Sequence, residues 1–367
     1  MKFNIQTAKF TDLISRAERL TSRKSALPIL SKIFIKVFNK SLLIRSTNLE
    51  VGVEGVVPVT NSDENEEVSF VVEAQVLKNF LAQVKDSKEI SVDLKDSVVE
   101  FSTATTQATI AVSDAEDFPS LPQFDEGVET MKLSMSANDF NTSIASVSYA
   151  SATSTMKPEL SSIYLHSYNN ELYFVATDTF RLAEKVLPIK VESEVSLLIP
   201  QQNAVEVTKI IDSEGDIELE FTSNLLSITQ NNVRISVRVV DGDFPDYRQI
   251  IPAEFTTEAT VLYYDYENSL RLSSVFSDKY HQVTLGFGAK EIMIDSKGNE
   301  QGKSSIKIPA SVEGEDMSSR FNQRYLSEPL GTLRGDNLVL KLSPNKPMMV
   351  SNPSDQTFRY LVMPMHQ

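Results

Sequence analysis

One pattern of residues repeats along this chain of 367 residues and limits how it can fold. The segments VSDAEDFPSLP (112–122) and VVDGDFPDYRQ (239–249) each place an acidic turn before Asp-Phe-Pro. Phe118 and Phe244 are 126 positions apart, which is close to the size of a small domain. A repeat with this spacing predicts a chain built from copies of one domain.

Alignment on this spacing gives the same order of elements in each copy. Three segments predict an alternating strand and then an amphipathic helix: MKFNIQTAKFTDLISRA from residue 1, MKLSMSANDFNTSIASV from residue 131 and ATVLYYDYENSLRLSSV from residue 259. Each is followed by three predicted strands, with Asn-Lys, Asn-Asn or Gly-Ala at the first turn. A second strand-helix pair is predicted in VSFVVEAQVLKNFLAQV, VSLLIPQQNAVEVTKII and SSIKIPASVEGEDMSSRF, with further strands after it. Each copy is therefore predicted to be two βαβββ halves.

The predicted fold class is α+β, with three repeated domains, six helices and about two dozen short strands. We call residues 1–125 repeat 1, residues 126–252 repeat 2 and residues 253–367 repeat 3. The joints between them contain Pro119 and Pro245, which fix φ and disfavour a helix before them.

The second joint raises a chemical question, because Asp241, Asp243 and Asp246 surround Gly242. One interpretation is a tight turn, since Asp and Gly tolerate unusual backbone angles. The alternative is a metal-dependent hydrolase that uses the carboxylates near Asp241 and Asp243. The turn is favoured, because the chain lacks a P-loop, a G-x-S-x-G and an H-E-x-x-H motif.

Cysteine and histidine usage bears on metal sites and cofactors. The chain has no cysteine, and its histidines (His166, His281 and His366) are far apart without acidic partners at ligand spacing. We therefore expect neither a metal nor a cofactor. No apolar run approaches the roughly 18 residues that a membrane span needs. MKFNIQTAKF lacks the apolar core of a signal peptide, so a cytoplasmic protein with no membrane partner is expected.

Positive charge is concentrated on the first helix, although the net charge of the chain is −15. Residues 9–24 predict a helix with a core stripe of Phe10, Leu13, Ile14, Ala17 and Leu20. The opposite face and the helix end carry Lys9, Asp12, Arg16, Arg19, Arg23 and Lys24. The second helix of repeat 1 is predicted to expose Lys78, and repeat 3 offers Arg271, Arg320 and Arg324 on its helices.

Two interpretations of these basic faces stay open. Basic residues on a helix are often simply solvated. Basic helices with acid elsewhere, as in SDENEEV (62–68), would also follow if the helices faced a polyanion and neutralised phosphates without reading bases.

Four segments together resemble one family over the full length of the chain. They are ALPIL (26–30), VATDTFRLA (175–183), VDGDFPDYRQIIP (240–252) and YLVMPM (360–365), and they are similar to the DNA polymerase III beta subunit family, the bacterial sliding clamps. The resemblance implies clamp-type domains in a head-to-tail homodimeric ring, with helices lining a hole for duplex DNA and antiparallel sheets outside. It implies a non-catalytic processivity factor, whose partners are the replicative polymerase, the clamp loader and other peptide-motif proteins.

The resemblance also implies site residues, position by position. A pocket for partner peptides would be formed by Leu160, Thr177, Thr179, Phe180, Arg181, Leu182, Pro245, Ile250, Met348, Leu361, Met363, Pro364 and Met365. Such leucines and methionines suit an adaptable groove. Thr179-Phe180 stands where the family commonly has Gly-His, and Gln249 stands where a second arginine is usual.

For DNA and for the ring, the resemblance implies two further sets. Arg23, Lys24 and Lys157 correspond to positions that face DNA or lie close to it, in addition to Arg16, Arg19 and Lys78 from the charge pattern. The subunit contact would join Ala108 and Ile110, on an edge strand, to Val275 and Phe276; the position of Ala108 is usually larger and aromatic. A repeat-built interaction scaffold that does not bind DNA is the remaining alternative.

Overall fold

The structure is a computed structural model that describes residues 1–21, 27–61, 67–84, 87–191, 194–298 and 302–365. These ranges contain six α-helices and 24 β-strands. Each helix follows one strand and precedes three, so the predicted βαβββ order occurs six times. Within the described ranges, none of the helices combines the length and the apolar character that crossing a membrane requires.

The elements of each repeat follow the same sequence. Repeat 1 contains β1 (Lys2–Gln6), α1 (Thr7–Glu18), β2 (Lys32–Phe38), β3 (Ser41–Thr47), β4 (Val51–Thr60), β5 (Val68–Glu73), α2 (Ala74–Gln83), β6 (Glu89–Lys95), β7 (Val98–Ser102) and β8 (Gln107–Ser113). Repeat 2 contains β9 (Met131–Ser136), α3 (Ala137–Val147), β10 (Ser162–Tyr168), β11 (Glu171–Thr177), β12 (Arg181–Leu187), β13 (Ser196–Pro200), α4 (Gln201–Ile210), β14 (Asp216–Phe221), β15 (Leu225–Gln230) and β16 (Val233–Arg238). Repeat 3 contains β17 (Thr257–Leu262), α5 (Tyr263–Ser274), β18 (Gln282–Gly288), β19 (Glu291–Gly298), β20 (Gly302–Gly314), β21 (Met317–Asn322), α6 (Gln323–Ser327), β22 (Asn337–Leu342), β23 (Met348–Ser351) and β24 (Phe358–Val362).

The strands form two antiparallel sheets, each of 12 strands in the described part of the chain. The first has the order β1-β6-β7-β8-β5-β2-β3-β4-β16-β15-β14-β9, with an additional β1–β4 pairing. The second has the order β13-β10-β11-β12-β24-β23-β22-β17-β20-β19-β18-β21. Repeat 2 therefore contributes strands to both sheets, through β4–β16 and β12–β24.

The chain divides into two compact units, which follow the sheets. The first unit comprises 1–141 and 202–239, and the second comprises 142–201 and 240–367. Each unit thus joins one outer repeat to half of the central one. The division into three domains at 125 and 252 stays a prediction, because the compact units do not test it.

The repeats share details of their turns. In repeat 1, Leu49 N donates to Thr47 Oγ1 at 2.9 Å, and Leu49 has φ +79°. In repeat 2, Thr179 N donates to Thr177 Oγ1 at 3.1 Å, and Thr179 has φ +76°. Each threonine hydroxyl also donates to a carbonyl four residues later. The same side-chain contacts therefore hold both turns in a left-handed conformation.

A second shared detail joins helix to sheet. Ser46 Oγ on β3 donates to Ala17 O of α1 at 2.5 Å, and Ser296 Oγ on β19 donates to Ser273 O of α5 at 2.9 Å. Repeat 2 has Ala176 at the corresponding position. The hydroxyl thus supplies a donor to a carbonyl in the last turn of the helix, where the regular helical hydrogen bonds end.

The amphipathic prediction for the first helix is confirmed in its buried face. Phe10, Leu13, Ile14, Ala17 and Leu20 are all less than 4% exposed. The helix ends earlier than the predicted 9–24, because α1 stops at Glu18 and Leu20 lies beyond it in a turn. Such apolar stripes hold the helix on the sheet.

The prediction for the second half of repeat 3 is wrong in its boundaries. The sequence predicts a helix within SSIKIPASVEGEDMSSRF, but the structure has β20 to Gly314, a turn with Gly314 at φ +110°, and then β21. The helix is α6, five residues long, and the Asn322 side chain caps its N-terminus. Arg320 therefore lies on a strand and Arg324 on a helix, because the strand pattern continues beyond the predicted start of the helix.

Candidate functional site

The second joint is tied to its sheet by a buried polar cluster. Tyr247, in a short 3-10 helix (Tyr247–Ile250), donates from Oη to Glu184 Oε2 at 2.7 Å. The same hydroxyl lies 3.0 Å from His166 Nε2. Arg359 Nε lies 2.8 Å from Glu184 Oε1, an ion pair whose angle does not make a hydrogen bond. Strands β10, β12 and β24 thus hold the joint through one residue each.

The electrostatics of this cluster favour the neutral forms of His166 and Tyr247, which lie next to the Glu184 carboxylate. Burial lowers the pKa of His166 to about 4, with a further lowering from the Arg248 charge and an opposing hydrogen bond with the Ser167 backbone. Burial raises the pKa of Tyr247 well above its usual value, and the Glu184 charge adds to this. Neither group is poised to exchange protons near neutral pH. The arrangement is that of a structural joint.

The joint carboxylates do not form a metal site. Asp241, Asp243 and Asp246 are all exposed, and Asp246 Oδ2 accepts a hydrogen bond from Gln249 at 2.7 Å. In the part of the chain that the structure describes, no three His, Cys, Asp or Glu side chains are grouped so that they could hold a metal ion. The turn interpretation is consistent with this geometry, and the hydrolase alternative has no support.

Strand pairing brings most of the proposed pocket residues together in the second compact unit. On β12 and β24, Arg181 lies opposite Val362 and Leu182 opposite Leu361. Met348 on β23 also lies opposite Val362. Beyond β24, Met363 N donates to the carbonyl of Phe180 at 2.8 Å, which extends the pairing. We call the surface formed by these residues and by Ile250, Pro364 and Met365 the partner groove.

The residues of the partner groove differ in exposure. Leu182, Leu361 and Met348 are at most 1% exposed, and the first two pack in a cluster with Val175 and Tyr247. Phe180 is 60% exposed and Ile250 is 44% exposed. Exposed apolar side chains are candidates for contact with a docking peptide.

The remaining pocket residues lie around this core. Met363, Pro364 and Met365 are partly buried, and Met365 N donates to Arg320 O at 2.8 Å, which fixes the end of the segment. Leu160 is buried and Pro245 is exposed, and both lie in loops outside these strand pairings. Thr177 is buried, and its hydroxyl is used in the turn described above.

Arg181 has a structural part in the groove. Its side chain is 8% exposed, its Nε donates to Asp178 Oδ2 at 2.9 Å, and its Nη1 donates to Glu328. The guanidinium also lies over the Tyr325 ring at 4.2 Å. Because both carboxylates already neutralise it, Arg181 positions the turn that carries Phe180 and is not a free charge for a ligand.

The charge of Arg16 is likewise used within the protein. Its Nε donates to Asp12 Oδ2 at 2.9 Å, and its Nη1 donates to the carbonyl of Ile210 at 3.0 Å. Asp212 lies 3.6 Å away, and the Arg16 side chain is 15% exposed. The end of α4 covers the Arg16 side chain, which the helix pattern places opposite the core stripe, and contact of Arg16 with DNA stays a prediction.

The other predicted DNA-facing residues differ in how free they are. Lys78 donates to Glu18 at 2.6 Å, and its side chain is 37% exposed. Arg19 and Lys157 are exposed, and no carboxylate of a described residue forms an ion pair with either. Arg23 and Lys24 lie outside the described residues. DNA contact at any of these positions stays a prediction.

The predicted subunit-contact residues lie on a half-free strand and at a helix end. β8 is not a full edge strand, because Val112 and Ser113 pair with β5. In contrast, among the strands that the structure describes, 107–111 pair with β7 alone, so Ala108 and Ile110 lie on the part of β8 whose other edge is unpaired there. Ile110 is 7% exposed, whereas Val275, which follows α5, is 64% exposed, and Phe276 beside it is partly buried.

Sequence reasoning missed the polar cluster at the joint. His166 and Glu184 interrupt strands that otherwise read as buried, SIYLHSY and RLAEKVL. A charged residue inside such a strand is a signal, since buried charges need partners. The partner, Tyr247, is 63 positions from Glu184 and could not be identified from spacing.

Comparisons with known proteins agree along the whole chain. Models of the N-terminal, central and C-terminal domains of the DNA polymerase III beta subunit match residues 1–122, 134–246 and 248–366. The beta sliding clamp of Vibrio cholerae is 24% identical, over 99% of this chain and 99% of its own. That of Streptococcus pneumoniae is 24% identical, over 99% of this chain and 98% of its own.

Solved structures have the same fold. The DNA polymerase III beta subunit of Thermotoga maritima superposes with a TM-score of 0.90 at 24% identity, covering 100% of this chain and 99% of its own. The beta subunit of Pseudomonas aeruginosa gives 0.92 at 22% identity, with 100% of both chains covered. A sliding clamp of that organism bound to griselimycin gives 0.91 at 22% identity, again over 100% of both chains.

The fold is therefore a three-domain clamp of the mixed α+β class, with antiparallel sheets and few helices. The predicted fold class is confirmed. The chain belongs to the DNA polymerase III beta subunit family.

Proposed function

We propose that this chain is a DNA sliding clamp, the processivity factor of a replicative DNA polymerase. One observation carries the proposal: the three domain models of the DNA polymerase III beta subunit match the chain in order and nearly end to end. The βαβββ order, repeated six times, is the architecture on which such a clamp is built. The alternatives of a hydrolase and of a scaffold without DNA have no comparable support.

The clamp closes as a head-to-tail homodimer. A heterologous interface whose rotation closes makes a ring, and it needs two different surfaces on each chain. The free edge of β8 at Ala108 and Ile110 and the exposed end of α5 at Val275 and Phe276 are two such surfaces. In the ring, these surfaces meet across the subunit boundary.

Double-stranded DNA is encircled without sequence reading. Arg19, Lys157, Arg23 and Lys24 supply positive charge toward the phosphates, because a clamp that slides needs diffuse neutralisation and no base contacts. Arg16 and Lys78 contribute less, since internal carboxylates share their charge. Acidic residues elsewhere make the protein negative overall, with a net charge of −15.

The partner groove takes short peptides from the polymerase, the clamp loader and other proteins. The exposed apolar side chains of Phe180 and Ile250 suit contact with apolar side chains of a peptide. The griselimycin complex of the Pseudomonas aeruginosa clamp supports ligand binding by a clamp of this fold. Phe180 replaces a polar ring by an apolar one, so this groove favours a more apolar peptide.

The chain itself catalyses no reaction in this proposal. DNA synthesis and ATP hydrolysis belong to partner subunits, and the protein acts in the cytoplasm. No membrane partner takes part.

The groove is tested by removing one wall. Deletion of Met363–Gln367 removes two methionines and Pro364, while a matched control lacks only His366 and Gln367. One buried apolar anchor contributes about 1.5–3 kcal/mol. Affinity for a fluorescein-labelled peptide containing Leu and Phe should therefore fall at least about tenfold, since about 1.4 kcal/mol is one decade. Equal affinity of the deletion variant and its control would remove the groove from the proposal.

A further inference from the structure

The first joint has the same backbone frame as the partner groove. At the groove, Met363 N donates to Phe180 O at 2.8 Å; at the first joint, Arg238 N donates to Glu50 O at 2.9 Å. β16 pairs with β4 as β24 pairs with β12. The turns that precede β4 and β12 share the hydrogen bonds described above. The first compact unit therefore contains a second copy of the frame on which the groove is built.

The two joints differ in which residue supplies the packing side chain: at the first joint the strand position has glycine and the joint position has leucine. At the groove, Leu182 on the strand and Tyr247 on the joint belong to one buried cluster. At the first joint, the corresponding strand residue is Gly52 and the joint residue is Leu121. A Cβ added to Gly52 would lie 2.7 Å from Leu121 Cδ2, so the leucine occupies the space that a strand side chain would fill. The first joint is thus closed by an apolar contact of its own.

A cavity of about 320 Å³ lies beside this contact. It is lined by Ser120, Leu121, Pro122, Gln123, Phe124, Asp125, Val128, Thr222, Asn224, Leu225 and Arg238. Its size falls in the range of about 300–1,000 Å³ of sites for small ligands. We call it the first-joint pocket. Phe124 stands at the repeat position of Ile250, and Arg238 stands at that of Met363.

The charges in the first-joint pocket differ from those of the groove. Arg238 is exposed, its Nε donates to Leu49 O at 3.2 Å, and no carboxylate among the described residues forms an ion pair with it. Asp125 is the one acidic side chain in the pocket lining that the structure gives. The guanidinium of Arg238 therefore keeps donors for a ligand carboxylate.

A second donor, the Asn224 side chain, lies next to Arg238, because the following residue, Leu225, pairs with Arg238. Thr222 Oγ1 donates to Asn224 Oδ1 at 2.7 Å, which orients the amide and directs its nitrogen to other acceptors. Leu121 and Leu225 line the pocket but are at most 6% exposed, so its accessible surface is mainly polar, and Phe124, which is partly buried, is the aromatic residue in the lining. Neighbouring cationic and amide donors beside an aromatic ring suit a ligand that has both a carboxylate and an apolar side chain.

We infer that the first-joint pocket binds a short acidic peptide, with an apolar side chain against Phe124 and a carboxylate on Arg238. The inference goes beyond the proposed function, because it adds a second peptide site to the chain. The shared frame explains why peptide binding occurs at both joints, and the Met363-to-Arg238 exchange explains the different preference. An acidic partner segment is the occupant, since Arg238 has no ion-pair partner among the described residues.

The test compares two labelled probes on a chain without a working groove. The protein lacks Met363–Gln367, and the probes are fluorescein-labelled Leu-Phe-Asp-Asp and Leu-Phe-Asn-Asn. Variants are Arg238→Gln, which removes the charge, and Ser120→Trp, which fills the cavity from an exposed position. Lys88→Gln, an exposed site on the same compact unit and outside the pocket lining, is the charge-matched control. Circular dichroism checks that each variant is folded.

The deletion variant should bind one equivalent of the Asp probe, measured by fluorescence anisotropy. Arg238→Gln should weaken that binding about tenfold, as the loss of a charge-assisted hydrogen bond does. Ser120→Trp should abolish this binding, and Lys88→Gln should leave it unchanged. The Asn probe should bind the deletion variant itself about as weakly as the Asp probe binds the Arg238→Gln variant. Loss of all Asp-probe binding on deletion of Met363–Gln367, or no effect of Arg238→Gln and Ser120→Trp, would overturn the inference.

The experiment distinguishes failure of the partner-groove proposal from failure of the first-joint pocket proposal. If the full chain binds the Leu- and Phe-containing peptide no more tightly than the deletion variant, the groove is absent. In that case the effect of Arg238→Gln on the Asp probe still measures the first-joint pocket alone.

Discussion

Tyr247→Phe isolates the hydroxyl that holds the second joint. The substitution keeps the ring, which packs with Leu182 and Leu361, and removes only the hydroxyl, which donates to Glu184 and contacts His166. Glu184 is 2% exposed, so its carboxylate would stay buried with Arg359 as its ion-pair partner and without this hydrogen bond.

The magnitude follows from that loss. A hydrogen bond to a charged group contributes about 1.5–3 kcal/mol, and a buried group left unsatisfied adds to the cost. His166 Nε2 also loses its partner at 3.0 Å. We expect the free energy of unfolding to fall by about 2–4 kcal/mol.

Urea unfolding followed by far-UV circular dichroism measures this change. Tyr168→Phe is the matched control, because that ring is 46% exposed and lies over Arg248 at 3.6 Å, so removing its hydroxyl should change stability by less than about 0.5 kcal/mol. A Tyr247→Phe variant as stable as the Tyr168→Phe control would refute the account of the joint. Binding of the groove peptide by the folded variant should be unchanged.

Three further outcomes are expected. Because burial lowers the pKa of His166 to about 4, from an ordinary value near 6.5, the unfolded chain binds a proton in this window that the folded chain does not. Stability should therefore fall as the pH drops from about 6.5 to 4, and His166→Gln should flatten that slope in urea titrations; an unchanged slope contradicts the assignment. Thr179→Gly and Leu49→Gly should each raise the free energy of unfolding by up to about 1 kcal/mol, because side chains at positive φ are strained; no gain at either site counts against the strain. Arg16→Gln should lower the free energy of unfolding by about 1–2 kcal/mol without a large change in DNA retention. Arg19→Gln should weaken DNA retention, most clearly at low salt, and leave the free energy of unfolding nearly unchanged.

The order of elements could be predicted from the sequence, because it depends on local periodicity. Alternating strands such as KIFIKVF and the apolar stripe of the first helix specify which faces are buried. The repeated spacing at Phe118 and Phe244 then shows the same order of elements in three segments, so each prediction is supported three times. Helix α6 could not be placed correctly, because five residues are too few to show a helical period.

The partners of polar side chains could not be predicted in the same way. A helical pattern places Arg16 opposite the core stripe, but it does not show that Ile210 and Asp212, almost 200 positions later, cover that face. The pocket residues follow from family resemblance, and strand pairing shows which of them are neighbours on the sheet. Leu182 and Phe180 differ by two positions and yet are 0% and 60% exposed, because the left-handed Thr179 redirects the chain between the turn and β12.

Retention on circular DNA tests the central claim most directly. The chain is loaded onto a closed plasmid with a clamp loader and ATP, and its retention is measured by gel filtration before and after the plasmid is cut. The account predicts a dimeric mass, retention on the circle and release from the linear ends. Val275→Lys with Phe276→Lys, which places unpaired charges in the subunit contact, should give folded monomers that are not retained. Equal retention on circular and linear DNA, or a monomeric mass for the unaltered chain, would contradict a ring that encircles the duplex.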